Sequence, residues 1–193
     1  IVATGSVKPV EEIYIQPQVD GLQTRTLNAD IGDRVNESDV LAVLSDDSLL
    51  LQKSQLAATR AKAEASLAQI RAQLIDTRAS AEDAERQRVR AVTLSAKGTV
   101  STSQLEQAET AATGAKARLR AAEQSILVAE ADLEVIDAQI SDIDLKLART
   151  SVKTPASGLV AARTAKVGAI ASSSSQPMFP VIRDGQIELV ADV

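Results

Sequence analysis

The chain has 193 residues and a formal charge of −5; 45% of its residues are hydrophobic but only 1% are aromatic, Tyr14 and Phe179 being the two rings. With no cysteine and no histidine, disulfides, thiolate nucleophiles, zinc fingers and imidazole acid/base chemistry are excluded. The negative balance and the lack of stacking side chains speak against nucleic acid as a partner, and no apolar run of about 18 residues is present to cross a bilayer.

Residues 1–46 read as short strands separated by turns, with Gly5, Pro9, Pro17, Gly21 and Gly32 as punctuation and Val/Ile-containing runs between them. Within this β module Pro17-Gln-Val-Asp-Gly21-Leu22 is followed by Gly32-Asp33-Arg34-Val35 and then by Asp39 to Leu44. Each glycine marks a turn position that needs a positive φ or a close backbone approach.

Residues 47–97 contain neither glycine nor proline, and strong helix formers dominate. Leu56, Ala63, Leu67, Ile70, Leu74, Thr77, Ala81, Ala84 and Ala91 fall on alternating steps of three and four, with gaps. Lys97-Gly98-Thr99 breaks the run: Gly98 suits a left-handed C-terminal cap, and Ser101 or Thr102 suits the N-cap of a second helix.

From Leu105 to Leu147 the steps are unbroken: Leu105, Ala108, Ala112, Ala115, Leu119, Ala122, Ile126, Ala129, Leu133, Ile136, Ile140, Ile143, Leu147. A period of 3.5 residues is the seam of a left-handed coiled coil. Two helices of similar length joined by so short a turn are antiparallel neighbours, with Leu119 level with Arg78, Leu133 with Ala63 or Glu64, and Leu147 with Leu49 or Leu50. Alanine on the seam allows close helix approach, while Ile136, Ile140, Ile143 and Leu147 make the root the firmer end and Gly114 softens the part near the turn. The first helix carries net +2 over residues 47–95 and the second net −4 over 103–149, which fits antiparallel pairing or, more blandly, two solvated faces. Leu127, Val128 and Val135 remain outside the seam.

After the helices the β pattern returns. Pro155-Ala-Ser-Gly158-Leu159-Val160 is followed by Gly168-Ala169-Ile170, so proline, Gly-Leu and a later glycine recur across a gap of roughly 100 residues. An internal repeat split in this way implies two half-sheets that meet in space, with the helices inserted between them. The chain opens at Ile1 without a methionine and closes at Val193 inside a strand-like run, and reads as the middle of a longer protein.

The two β halves, with Gly32-Asp33-Arg34-Val35 in the first and Thr154-Pro-Ala-Ser-Gly158-Leu-Val in the second, resemble the lipoyl/biotinyl-carrier fold. With a helical hairpin inserted between them, the whole chain resembles the periplasmic adaptor family (membrane fusion proteins, HlyD-like), most of all the adaptors of resistance-nodulation-division pumps. The resemblance implies an α+β fold: a lipoyl-like β sandwich split by a long antiparallel coiled-coil hairpin, with short flanking strands of a truncated β-barrel domain. The implied boundaries are 1–13 for a strand from the β-barrel, 14–46 and 150–182 for the lipoyl-like halves, and 183–193 for the return to the barrel. The hairpin is 47–149, with helices 47–96 and 102–149 and a tip at 97–101. Pro17, Gly21, Gly32, Pro155, Gly158 and Gly168 would be the structural turns of the halves.

In this family an arginine, a leucine four residues later and a serine eleven residues after the arginine engage the outer-membrane channel, and Arg90, Leu94 and Ser101 have that spacing. Some members carry an acidic residue ten positions after the serine, where this chain has Ala111. Read from the residues alone, Leu94 equally closes the core of the tip, Ser101 is an N-cap and Arg90 is solvated. The resemblance further implies a periplasmic, non-enzymatic subunit without cofactor or metal, assembled as a ring of six copies or of three dimers. Its partners would be a TolC-like channel and an inner-membrane transporter, and its inner-membrane anchor would lie in a segment absent from this chain. An adaptor of an ABC-type or type I secretion exporter is the alternative, and a coiled-coil structural protein a further one. A carrier-enzyme subunit is disfavoured, because residues 47–149 replace the tight turn that holds the modified lysine.

Overall fold

The computed structural model describes residues 4–174 and 176–192; Ile1, Val2, Ala3 and Val193, all in the expected flanking strands, lie outside the described residues. The fold is α+β, with antiparallel sheets and a two-helix hairpin. Contacts divide the chain into two compact units, Ile1–Ser54 with Ser141–Val193, and Gln55–Ile140. In chain order the strands are β1 (Thr4–Pro9), β2 (Glu12–Ile15), β3 (Thr24–Leu27), β4 (Arg34–Val35) and β5 (Val40–Leu44). The helices α1 (Asp47–Ala96) and α2 (Thr102–Ala148) follow, and then β6 (Ser151–Lys153), β7 (Gly158–Val160), β8 (Phe179–Arg183) and β9 (Ile187–Asp192).

In the first unit one sheet has the order β2-β8-β7-β4 and another β3-β5-β6, while β1 pairs with β9 as a ribbon. Both sheets therefore mix strands from before and after the helices. The glycine-marked segments exchange hydrogen bonds reciprocally. Gly21 N–H donates to the Ala171 carbonyl and Ala171 N–H to that of Leu22, while Gly32 N–H donates to the Val160 carbonyl and Val160 N–H to that of Asp33, all within 3.0 Å. A split repeat folded on itself gives this reciprocity, and the two halves do meet.

The core between the sheets is aliphatic except for one ring. Phe179 and Val181 alternate inward along β8 and meet Leu41, Leu44, Val152 and Val160. Of the two aromatic residues, Phe179 is fully buried and Tyr14 is exposed, its hydroxyl donating to Glu12. Gly21, Gly32 and Gly168 have positive φ, Pro17 is buried two residues after β2 and Pro155 is exposed. Gly158 differs from the expected turn: it is the first residue of β7, and a Cβ there would lie 2.3 Å from the Ile182 carbonyl oxygen and 2.7 Å from a Val181 methyl. It is needed for close strand approach, not for a left-handed turn.

The N-terminus of α1 is tied to β3 by Arg25, which bonds Asp46 (3.1 Å) and Asp47 (2.5 Å). The Arg25 hydrogen bond holds the Asp47 carboxyl below its ordinary range. α2 ends without glycine: the Thr150 hydroxyl donates to the Leu147 carbonyl, and the Thr150 carbonyl accepts from Leu44 N–H at 2.8 Å.

On both helices the less exposed side advances in alternating steps of three and four, from Leu49 to Ser95 on α1 and from Leu105 to Leu147 on α2. Lys53, Arg60 and Arg88 occupy three of the steps on α1, which explains the gaps in its apolar pattern. Among the described residues, ion pairs join the helices at Lys53–Asp144 in the first unit, and at Arg60–Asp137, Arg71–Glu130, Arg78–Glu123 and Lys116–Glu85 in the second. Their α2 members recur every seventh residue. Lys53–Asp144 and Arg60–Asp137 match the level expected from the sequence; Arg78 reaches Glu123, one turn beyond Leu119, as its long side chain allows. The same register sets Ala81 opposite Ala115 and Ala84 opposite Ala112. Ala81, Ala112 and Ala115 are buried, Ala112 to 2% exposure, so the alanine stretch is closely packed. Leu127, Val128 and Val135 are exposed.

Gly158→Ala is expected to cost about 2 kcal/mol or more, because backbone blocks the new methyl. Gly21→Ala, with nothing within 4 Å of its added Cβ, is expected to cost only about 1 kcal/mol of left-handed backbone strain. Urea midpoints of the two variants against the parent measure the difference.

Candidate partner interface

The turn between the helices is built by two complementary caps. Gly98 takes φ 70°, its N–H donates to the Ser95 carbonyl, and Thr99 N–H donates to that of Leu94 at 3.0 Å. These two bonds are the Schellman closure that a left-handed glycine permits. Ser101 then opens α2: its hydroxyl accepts from Gln104 N–H while its own N–H donates to the Gln104 side-chain oxygen, both at 3.3 Å. That reciprocal pair is a capping box, with glutamine three residues after serine. The first turn of α2 carries no acidic residue.

Of the three candidate contact residues, Arg90 is exposed and makes no ion pair among the described residues. Leu94 is 40% exposed, with its carbonyl, not its side chain, engaged in the cap. Ser101 is exposed but its hydroxyl is used as the N-cap. Arg90 and Leu94 are one helical turn apart, and Ser101 belongs to the reversal itself, so one end of the hairpin carries all three. Ala111 is exposed on α2; the carboxylates on that helix nearest the turn are Glu106 and Glu109, which border a surface groove with Thr110, Thr113 and Gly114.

The sequence reading missed the charges and apolar groups just below the turn. Val89 and Val92 are exposed beside the candidates. Asp83 pairs with Arg86 and Glu85 with Arg88, each across three residues of α1, and Lys116 reaches Glu85 from α2 at 3.1 Å. The i, i+3 spacing of acid and base was the available signal. Bonds from Arg88 and then Lys116 hold the Glu85 carboxyl down to about 2 from its ordinary 4.5. No group of three acidic, histidine or cysteine residues able to hold a metal occurs among the described residues, and none of their helices is long and apolar enough to cross a membrane.

A strand-exchanged β unit interrupted by a capped antiparallel helix pair is the fold of periplasmic adaptor and membrane fusion proteins. The chain is similar in structure to the periplasmic adaptor protein EmrA, with a TM-score of 0.61 and 15% identity over 97% of this chain and 77% of EmrA. It is similar also to MacA from Actinobacillus actinomycetemcomitans, with a TM-score of 0.51 and 21% identity over 98% of this chain and 54% of MacA. The membrane fusion protein Spr0693 from Streptococcus pneumoniae R6 gives 0.51 and 16%, over 98% and 67%. The chain thus spans about three quarters of EmrA and about half of MacA. No family model matches the sequence, and no curated protein matches it.

Because the Glu85 value in the folded state lies below the unfolded one, the contribution of its ion pairs is full above about pH 4.5 and is lost as pH falls toward 2. Glu85→Gln is expected to remove that part of the acid sensitivity while leaving neutral-pH helicity intact. Acid titration followed by circular dichroism of parent and variant checks it.

Proposed function

We propose that the chain is the hairpin-bearing part of a non-enzymatic periplasmic adaptor, which links an inner-membrane transporter to a TolC-like outer-membrane channel and meets the channel through the hairpin tip. The observation that carries the reading is the tip: a self-capped reversal that leaves Arg90 and Leu94 exposed, on a fold shared with adaptors. Ser101 then serves first as the cap that holds the tip in shape and only secondarily as a contact. In this reading 14–46 and 150–182 form the lipoyl-like part, 1–13 and 183–193 lead to a β-barrel domain, copies assemble as a ring, and an inner-membrane anchor lies outside this chain.

An aliphatic side chain that is exposed alone but covered in a complex contributes by apolar burial, and an unpaired guanidinium beside it supplies directional hydrogen bonds. Leu94→Asp is therefore expected to abolish channel binding, and Arg90→Asp to weaken it by at least about tenfold. Both variants should keep the parent helicity, since the turn is closed by the Gly98 and Thr99 main-chain bonds and by the Ser101–Gln104 pair, which neither substitution touches. Binding to an immobilised TolC-like channel protein, with export in cells as a second readout, tests the reading; normal binding by both variants would defeat it.

A further inference from the structure

Ile75 on α1 and Val128 and Val135 on α2 are exposed, and each belongs to a second row of uncharged residues outside the seam. On α1, Ala58, Ala61, Ala65, Ala68, Ala72 and Ile75 advance in steps of three and four, and on α2 so do Ala121, Gln124, Val128, Ala131, Val135 and Ala138; all are exposed. At about 100° per residue each row lies roughly 150° round its helix from the seam. The α1 row occupies heptad positions b and f and the α2 row c and f, which for antiparallel helices puts them on opposite edges of the pair. The register that sets Ala81 opposite Ala115 also sets the rows level, from Ala58 with Ala138 to Ile75 with Ala121. Each larger side chain, Ile75, Gln124, Val128 or Val135, thus has an alanine at its own height on the other edge. Beside the rows stand four exposed charges with no ion pair among the described residues, Lys62 and Asp76 on α1 and Arg118 and Asp132 on α2. Each couple is spaced by two heptads, and Lys62 lies within about one turn of the height of Asp132, as Asp76 does of Arg118.

We infer that these two edges are the surfaces by which hairpins of neighbouring copies pack side by side, α1 of one copy against α2 of the next, pointing the same way and at equal height. This rests on the ring in the reading above and adds the contact that builds it. The occupant is a second copy of this chain because the edges complement each other. Alanine receives each larger side chain, as interdigitating layers require, and on one rim Lys62 meets Asp132 while Asp76 meets Arg118. On the other rim Arg120 and Glu134 come level with Arg78 and Glu64, whose charges are already engaged within the hairpin by Glu123 and Arg60. A contact between two unlike surfaces repeats from copy to copy and closes into a ring when the rotation allows. A foreign helix would use one edge only and leave the match between the two without a purpose.

The test uses the full chain, which has no cysteine of its own. Ala65→Cys and Ala131→Cys in one molecule lie at one height on opposite edges, their Cα atoms more than about 12 Å apart, too far for a disulfide within one hairpin. Mild oxidation is expected to join copies into covalent ladders. The control, Ser66→Cys with Ala131→Cys, places the first thiol about 100° round α1 and should give only a small fraction of that yield. In sedimentation at about 100 μM the parent should self-associate and Val128→Asp should not. Lys62→Asp and Asp132→Lys should each weaken association about threefold or more, and the two together should restore it. Circular dichroism establishes that each variant is folded. The inference falls if the ladders are no stronger than the control's, if the parent stays monomeric, or if the double charge reversal fails to rescue the single ones. Channel binding by a parent that fails these tests keeps tip docking and discards only the side-by-side contact, whereas ladders in a parent that ignores the channel do the reverse.

Discussion

Neither half of the β unit completes a sheet by itself. β2 finds its neighbour in β8, β4 in β7 and β5 in β6, each pairing joining a strand that precedes the helices to one that follows them. The chain must therefore return from an excursion of roughly 100 residues to within one hydrogen bond of where it left, and Leu44 N–H meets the Thr150 carbonyl at 2.8 Å. Closing a flexible loop costs entropy that grows with the logarithm of its length, about 0.6 kcal/mol for each doubling. Two zipped antiparallel helices remove much of that disorder, because their own pairing brings residue 150 back beside residue 44. The contacts agree: the first turns of α1 and the last turns of α2 belong to the β unit.

How the helices choose one register follows from the seam and its charges. Lys53, Arg60 and Arg88 stand on steps that an apolar seam would fill, and basic residues suit such places because their stems cover apolar surface while their heads reach outward. The pairs are exposed, so each is worth little by itself, but their order matters. Going toward the turn, α1 supplies the cation four times and the anion at the fifth, Glu85 with Lys116. A slip by one heptad one way sets Arg78 against Lys116 and Glu85 against Glu109; the other way it sets Glu85 against Glu123. A seam rich in alanine, with few large side chains to resist sliding, has most need of such an inverted rung.

Much of this architecture was legible because it is periodic or because it turns on glycine. The α2 seam announces itself since Leu, Ile and Ala hold every step, and Gly98 with Ser101 and Gln104 encodes both caps in seven residues. The α1 seam was half hidden because three cations interrupt it, and only the carboxylates facing them show that they belong to it. The split repeat gave the meeting of the two halves, but Gly158 looked like its counterpart Gly21. A strand glycine that makes room for a carbonyl cannot be told from a turn glycine by spacing. At the tip, the spacing singled out Arg90, Leu94 and Ser101 as candidates, but the exposure of the first two, and that Ser101 and not Thr102 caps α2, required coordinates.

The reversal between the helices is closed by its own bonds: the Ser95 and Leu94 carbonyls accept from Gly98 and Thr99 N–H, and Ser101 and Gln104 answer each other. A partner meeting this end would find a closed turn with no strand edge to extend, and would read mainly its side chains. On the docking reading, contact residues there could be exchanged one at a time without refolding the helix pair, and one scaffold could change allegiance stepwise.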